Sequence, residues 1–413
     1  MTTALTNNDH VVVVGAGLAG WRLCEGLRRD GFDGQITLIG DESNLPYDRP
    51  PLSKQVMTGK WPSEQANLVD LTRVTDLKID FRSSQRARRL DVSKRTVELE
   101  SGEHVSGTHI VLAPGCSARE IDYDARKSLH HVRSINDATR LIDAVEQLEA
   151  GSPIIVIGGG FIGAEIATSL TTRGHRLVVL EATAMPLLNV LGDEVARRLL
   201  RLPSDAGVDL RVNQHVTNVV NTSRGCAVEM GDGSTLEAPV VVVAVGAVPN
   251  IAWLKNSGLT IDNGIVTNDQ LCAAEGIFAL GDAANFTWRH DPFVEQVRIE
   301  HWQVANDHAQ FLTQALLKGN DAPVLSLVPY FWSDQYGKKI QLLGHYSPGD
   351  DVTWVAGSID DGRWLGLYSR HGLVSAAVSV NFARGLMLSR DLVQSHVRLS
   401  DAIALAPWSP PTS

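Results

Sequence analysis

Three glycines that follow an apolar run at fixed spacing can bring bare backbone N–H groups against a phosphate, which no longer side chain allows. VVVVGAGLAG (11–20) ends in Gly15-x-Gly17-x-x-Gly20, with Ala16, Leu18 and Ala19 between the glycines. The first glycine permits the tight strand-to-helix turn, the second lets the backbone approach a pyrophosphate, and the third lets the helix pack closely on its strand. Phosphate then lies at a helix N-terminus, where free N–H groups and the helix dipole favour negative charge. The pattern occurs twice. IIVIGGGFIG (154–163) carries Gly158, Gly160 and Gly163, with Phe161 and Ile162 in the loop. Each copy runs on through a helix ending near Gly31 or Gly174 to a second strand closed by an acid, Asp41 or Glu181, suited to accept from ribose hydroxyls. Two complete βαβ fingerprints imply two dinucleotides.

The elements around these loops are those of a soluble α/β protein. The chain has 413 residues, 44% hydrophobic and 20% charged, enough for two or three domains. Its net charge of −10 argues against nucleic-acid binding and leaves any anionic partner to a local basic patch. The apolar runs are too short to span a bilayer, and MTTALTNNDH lacks a charged segment followed by an apolar one, so the expected location is cytoplasmic. Cys24, Cys116, Cys226 and Cys272 form no C-x-x-C pair and have no metal-ligand spacing, so neither a redox disulfide nor a metal site is expected.

Further segments separate the two sites. HIVLAPG (109–115) and VVVVAVGAVPN (240–250) are strands ending in small-residue turns, at Ala113 to Gly115 and at Gly246. EGIFALGDAANF (275–286) reads as a buried strand, then Gly281-Asp282, then a helix start. PYDRPPLSK (46–54) is a stiff connector, since its prolines fix φ and donate no ladder hydrogen bonds, and it carries Arg49 and Lys54. Val304, Ala305, His308, Ala309, Leu312 and Leu316 form one stripe, which predicts a helix over 300–317 ended by Gly319.

Over essentially its full length the chain resembles the FAD-dependent, NADH-linked ferredoxin reductases of the putidaredoxin reductase and rubredoxin reductase type, relatives of apoptosis-inducing factor. The resemblance implies an α/β, glutathione-reductase-like fold of two Rossmann-like domains with a small α+β C-terminal interface domain. The expected boundaries are 1–117 with 247–328 for FAD, 118–246 for NADH and 329–413 for the interface domain. It also implies that the first fingerprint, Asp41, Arg49, Ala87, Ala113, Gly115, Arg133, Gly281, Asp282, Glu300, His301 and Trp302 hold FAD, with Lys54 beside its ring. The backbone N–H groups near His301 and Trp302 would stabilise anionic reduced flavin. The second fingerprint, Glu181 and Gly246 would hold NADH, and Glu165 would face Lys54. A carboxylate at position 181 accepts from a 2′-hydroxyl and repels a 2′-phosphate, and ATAMPLL (182–188) offers no arginine, which favours NADH over NADPH.

After Pro329, aromatic and apolar residues alternate between turn signals, which predicts a small antiparallel sheet followed by helices around 372–385 and 389–396. By resemblance, the FWSDQ motif places Trp332 near the flavin. The implied partner is a [2Fe–2S] ferredoxin, or alternatively a rubredoxin, feeding a cytochrome P450 or an oxygenase. Arg289, His290, Arg298, Lys338, Lys339, Arg384 and Arg390 are the docking candidates. A quinone or monodehydroascorbate reductase is a rival, as is a redox-sensing protein akin to apoptosis-inducing factor. Pro114, where the family has Thr, and His301, where Ser or Thr is frequent, depart from the family pattern.

Overall fold

The computed structural model describes residues 4–149, 151–290, 292–322 and 324–409. They cluster into two compact units, one drawn from residues 4–48, 67–117 and 249–330, the other from residues 49–66, 118–248 and 331–409.

In the first unit the strand His10–Val14 is the centre of a six-stranded sheet. Gln35–Ile39 pairs with it on one side and His109–Leu112 on the other, both parallel. Val11, Val12 and Val13 are fully buried, because a central parallel strand is covered on both faces and reads as a continuous apolar run. The strand order reverses at this point, so the loop after Val14 opens onto the crevice where α/β sheets bind ligands. The second unit repeats the arrangement on a four-stranded sheet, with Pro153–Ile157 between Arg176–Leu180 and Val240–Val243.

The fingerprint glycines meet the same steric demands in both copies. A Cβ on Gly15 would lie 1.9 Å from the Ala113 carbonyl oxygen, and one on Gly158 would lie 2.4 Å from that of Ala244. Both residues have positive φ, +116° and +102°. A Cβ on Gly20 or Gly163 would stand 2.0 Å from the carbonyl oxygen of Gly15 or Gly158, so the third glycine sets the helix-to-strand distance. Gly17 and Gly160 differ, since a Cβ there meets no protein atom within 4 Å. The open space lies where a pyrophosphate would approach. The helices that follow are Leu18–Arg29 and Phe161–Thr172.

Two expectations are corrected. After Gly281-Asp282 there is one 3₁₀ turn, Gly281–Ala283, and then a strand, Ala284–His290, rather than a helix. The stretch 372–385 is mostly the strand Leu373–Val380, with a helix beginning only at Ala383 (Ala383–Leu388), whereas the helix expected around 389–396 is present as Arg390–Gln394. Val374 to Val380 is buried throughout, in a sheet whose Ala376, Val378 and Val380 pack with Leu191, Val195 and Leu199. Burial on both faces erases the period-two signal that marks a strand. That five-stranded sheet runs Tyr330–Gln335, Lys338–Gly344, Leu373–Val380, Arg363–Arg370, Asp351–Ser358. The helix read at 300–317 is Trp302–Lys318, followed by Gly319 at φ +57°.

Gly20→Ala is expected to destabilise the ligand-free protein by about 2–4 kcal/mol, because the backbone must move, whereas Gly17→Ala changes it by less than about 0.5 kcal/mol. Urea midpoints of the two variants check the contrast.

Candidate functional site

The proline segment is built as a mount for a cation. Beyond Pro50 and Pro51 the chain makes a single π-helical turn, Leu52–Val56, in which the Val56 N–H donates to the Pro51 carbonyl five residues back at 3.0 Å. Such turns recur at functional sites because they re-aim side chains. Ser53, buried in this turn, donates from Oγ to Glu165 Oε2 at 2.7 Å, and its carbonyl accepts from Ser169 Oγ at 2.6 Å. Glu165 and Ser169 are one turn apart on the second fingerprint helix, so two hydrogen bonds stitch the segment onto it.

Lys54 then has fixed surroundings. Its Nζ lies 3.1 Å from Glu165 Oε1 and 3.4 Å from Asp334 Oδ2, with the Trp332 ring centroid 5.3 Å away. Glu165 Oε1 also accepts from Ser333 Oγ at 2.6 Å and from the Asp334 N–H at 3.3 Å. Glu165 is 4% exposed, and the Lys54 side chain 13%. Removing one partner of a buried pair typically costs about 3–5 kcal/mol, because the other charge is left without compensation. Elsewhere in this unit Arg49 donates to the Arg133 carbonyl oxygen at 2.5 Å.

The second glycine loop faces Glu181. Its Oε2 accepts from the Gly159 N–H at 2.9 Å, and its Oε1 from the N–H and Oγ of Thr183 at 2.9 and 2.7 Å. The helix behind this loop has no side-chain cap and no acid in its first turn, which leaves its N–H groups for an anion. Gly246, at φ +102°, lies in the turn after the strand Val240–Val243.

The first unit offers the same kind of helix end twice. Leu18–Arg29, capped by Gly17, and Trp302–Lys318, capped by His301, both lack a side-chain cap bond and an acid in the first turn. The Trp302 indole N–H donates to Asp48 Oδ1 at 2.8 Å, tying the start of the longer helix to the residue before Arg49. Burial pushes the Asp48 carboxyl above its ordinary range, against the opposing effect of the Trp302 hydrogen bond. Asp41 pairs with Arg86 at 3.2 Å, next to Ala87 at the start of a strand. The Ala113 N–H donates to the Val14 carbonyl, and Gly115 turns at φ +62°. The Asp282 carbonyl accepts from Arg298, which also pairs with Glu300.

His308 has a role that its place in an apolar stripe concealed. It is fully buried, edge-on to Phe286, and its Nδ1 accepts from the Gly281 N–H at 3.3 Å. That bond holds the Gly281-Asp282 turn and requires a neutral ring; burial lowers the imidazole to about 3.

The structure therefore brings together Lys54, Glu165 and Trp332, joins Arg49 to Arg133, and sets Glu181 against its glycine loop. Sequence reasoning missed Asp48, Ser53, Ser333 and Asp334 as participants, though all four lie inside the two motifs quoted. It gave no signal for Ser169.

Comparison with known proteins agrees with this geometry. Residues 9–309 match the pyridine nucleotide-disulphide oxidoreductase model, and residues 330–409 match a reductase C-terminal model. The chain belongs to this oxidoreductase family. Its members use FAD and NAD(P)H. The chain is 32% identical to rhodocoxin reductase of Rhodococcus erythropolis, over 94% of this chain and 90% of that one. To the ferredoxin–NAD(+) reductase component of the anthranilate 1,2-dioxygenase system of Burkholderia cepacia it is 33% identical, over 93% and 94%. The reductase in a crystal structure of the covalent putidaredoxin reductase–putidaredoxin complex superposes with a TM-score of 0.90, at 28% identity, covering 98% of this chain and 100% of that chain. The uncapped helix ends and the open faces of Gly17 and Gly160 suit two dinucleotides. All four cysteines are free, and burial pushes the Cys24 thiol up to about 12, which keeps it from ionising to a nucleophilic thiolate. Among the described residues no helix is long and apolar enough to cross a membrane.

The His308 geometry predicts an acid sensitivity. The folded ring stays neutral down to about pH 3, whereas the unfolded ring takes up a proton near 6.5, so stability present above 6.5 is lost as pH falls towards 3. The loss is about 1.4 kcal/mol per pH unit. His308→Gln, which keeps an acceptor for Gly281, is expected to flatten that slope by this amount in urea unfolding between pH 6 and 5.

Proposed function

We propose that the protein is an NADH-dependent ferredoxin reductase. It passes electrons through FAD to a small iron–sulfur protein that serves a cytochrome P450 or a ring-hydroxylating oxygenase. The observation that carries this reading is the Lys54–Glu165–Trp332 cluster in a two-fingerprint chain without a C-x-x-C pair. Relatives of about the same length are ferredoxin reductase components of such systems.

The first fingerprint, with Asp41, Ala87, Ala113, Gly115, Gly281, Asp282, Glu300, His301 and Trp302, is proposed to hold FAD, with Arg49 and Arg133 supplying positive charge to it. Bound FAD supplies the chemistry that turns a hydride from NADH into single electrons. The chain contributes binding, orientation and charge. Free N–H groups at the helix ends receive the pyrophosphates. Lys54 offers a cation for anionic reduced flavin, and Glu165 with Ser53 and Ser333 fixes where that cation sits. Trp332 covers the ammonium on its aromatic side.

The NADH preference rests on Glu181. Its carboxylate is already aimed at the second glycine loop, where it suits a ribose 2′-hydroxyl and opposes a 2′-phosphate. A small-molecule reductase uses the same cluster, and the choice between the two is experimental.

NADH-driven cytochrome c reduction by the purified flavoprotein is expected to depend strongly on an added [2Fe–2S] ferredoxin. Efficient quinone or monodehydroascorbate reduction, with no effect of ferredoxin, would remove the partner assignment. In the same assay kcat/KM is expected to favour NADH over NADPH by about a hundredfold, from like-charge repulsion of a few kcal/mol. Comparable values would refute the role of Glu181.

A further inference from the structure

Two carboxylates share the Lys54 ammonium. It stands between buried Glu165 at 3.1 Å and Asp334 at 3.4 Å, with the Trp332 ring on a third side. Strand alternation explains the grouping. In Tyr330–Gln335 successive side chains point to opposite faces, so Trp332 and Asp334 lie together on the half-buried face while Ser333 is buried on the other.

The two carboxylates depend on the ammonium to different degrees. Glu165 accepts from the Ser53 and Ser333 hydroxyls and from the Asp334 N–H, so three further donors hold it besides Lys54. The Asp334 carboxylate accepts no hydrogen bond among the described residues, and Lys54 is its one ion-pair partner there. Its side chain is 47% exposed, against 5% for that of Glu165. Asp334 therefore meets the cluster by two separable routes. Its backbone supports Glu165, and its side-chain charge pairs with Lys54 alone.

We propose that Asp334 is a positioning residue for Lys54: it holds the ammonium towards the solvent side of the cluster, offsets its charge, and so lowers the reduction potential of bound FAD. The inference rests on the reading of Lys54 as the cation beside the flavin. Reduction adds negative charge to a flavin, which a nearby cation favours, and charge close to the ring is one of the levers by which a protein tunes this cofactor. Two carboxylates to one ammonium curb that preference. The curb suits an electron donor, because a cofactor that holds its electrons less tightly passes them to acceptors of lower potential. Of the two carboxylates, only Asp334 can be neutralised without leaving other buried donors unpaired.

The test compares full-length holoenzymes by anaerobic titration of the flavin absorbance against a reference dye of known potential. Asp334→Asn removes the charge and keeps the backbone N–H to Glu165, whereas Asp334→Glu keeps the charge. Asp334→Asn is expected to shift the balance of oxidised and reduced cofactor about tenfold towards reduced, about +30 mV for a two-electron couple. Asp334→Glu is expected to stay within about twofold of wild type. Urea midpoints of the flavin-free proteins are expected to coincide, since a half-exposed ion pair adds little stability. In a Lys54→Met background, adding Asp334→Asn is expected to shift the balance by less than about threefold. A shift under about twofold in Asp334→Asn, an equal shift in Asp334→Glu, or a full tenfold shift without Lys54 would overturn the proposal. A marked fall in the flavin-free urea midpoint of Asp334→Asn would overturn it as well, by making the residue structural. Wild-type protein that takes up no FAD would instead sink the flavoprotein reading, and this inference with it.

Discussion

Close approach of backbone to backbone at two strand-to-helix turns is the constraint on which the rest of the molecule depends. Each helix can sit against its strand only because Gly20 or Gly163 has no Cβ, and each turn can be made only because Gly15 or Gly158 accepts positive φ. The steric cost of any side chain there is high because the nearest neighbours are carbonyl oxygens, which cannot swing away. At the remaining glycine of each set, Gly17 or Gly160, an added Cβ would meet no protein atom within 4 Å. Packing therefore explains two glycines in three, and the third leaves open space at a helix N-terminus. Uncapped helix ends behind both loops follow the same logic, since a capping carboxylate would compete with a phosphate for the same N–H groups.

On this scaffold the second unit adds a buried charge with an unusually complete set of partners. Glu165 receives donors from two separate stretches of chain: the π-turn after the two prolines, through Ser53 and Lys54, and the Ser333-Asp334 pair. Burying a carboxylate this deeply is unfavourable unless its oxygens are satisfied, and here they are. The stiffness of the segment has the same effect, since holding a mobile lysine beside Glu165 would cost more side-chain entropy. Asp334, half exposed, gives the ammonium a second partner on the side nearer to solvent.

The fingerprints were legible in the sequence because their demands are local and steric: glycine spacing, an apolar strand and a closing acid suffice. The Lys54–Glu165 pairing was legible only through resemblance, since 111 positions separate the two residues and no periodicity links them. Ser53 and Ser333 were hidden for a related reason, as a serine inside a motif looks the same whether it packs or donates. His308 sat in an apolar helical stripe and read as core, which it is, but its ring nitrogen also holds the Gly281 turn. Burial of Leu373–Val380 on both faces removed the alternation that would have distinguished it from a helix. Arginines read alike as surface charge until their carboxylate neighbours were known.

Anaerobic titration of the purified, flavin-loaded protein with NADH tests the central claim, that one chain holds two dinucleotides. One bound FAD per chain, with its visible absorbance fully bleached by one equivalent of NADH, is the predicted result. Purification without bound flavin and no uptake of added FAD, or bound flavin that NADH leaves oxidised, would contradict it.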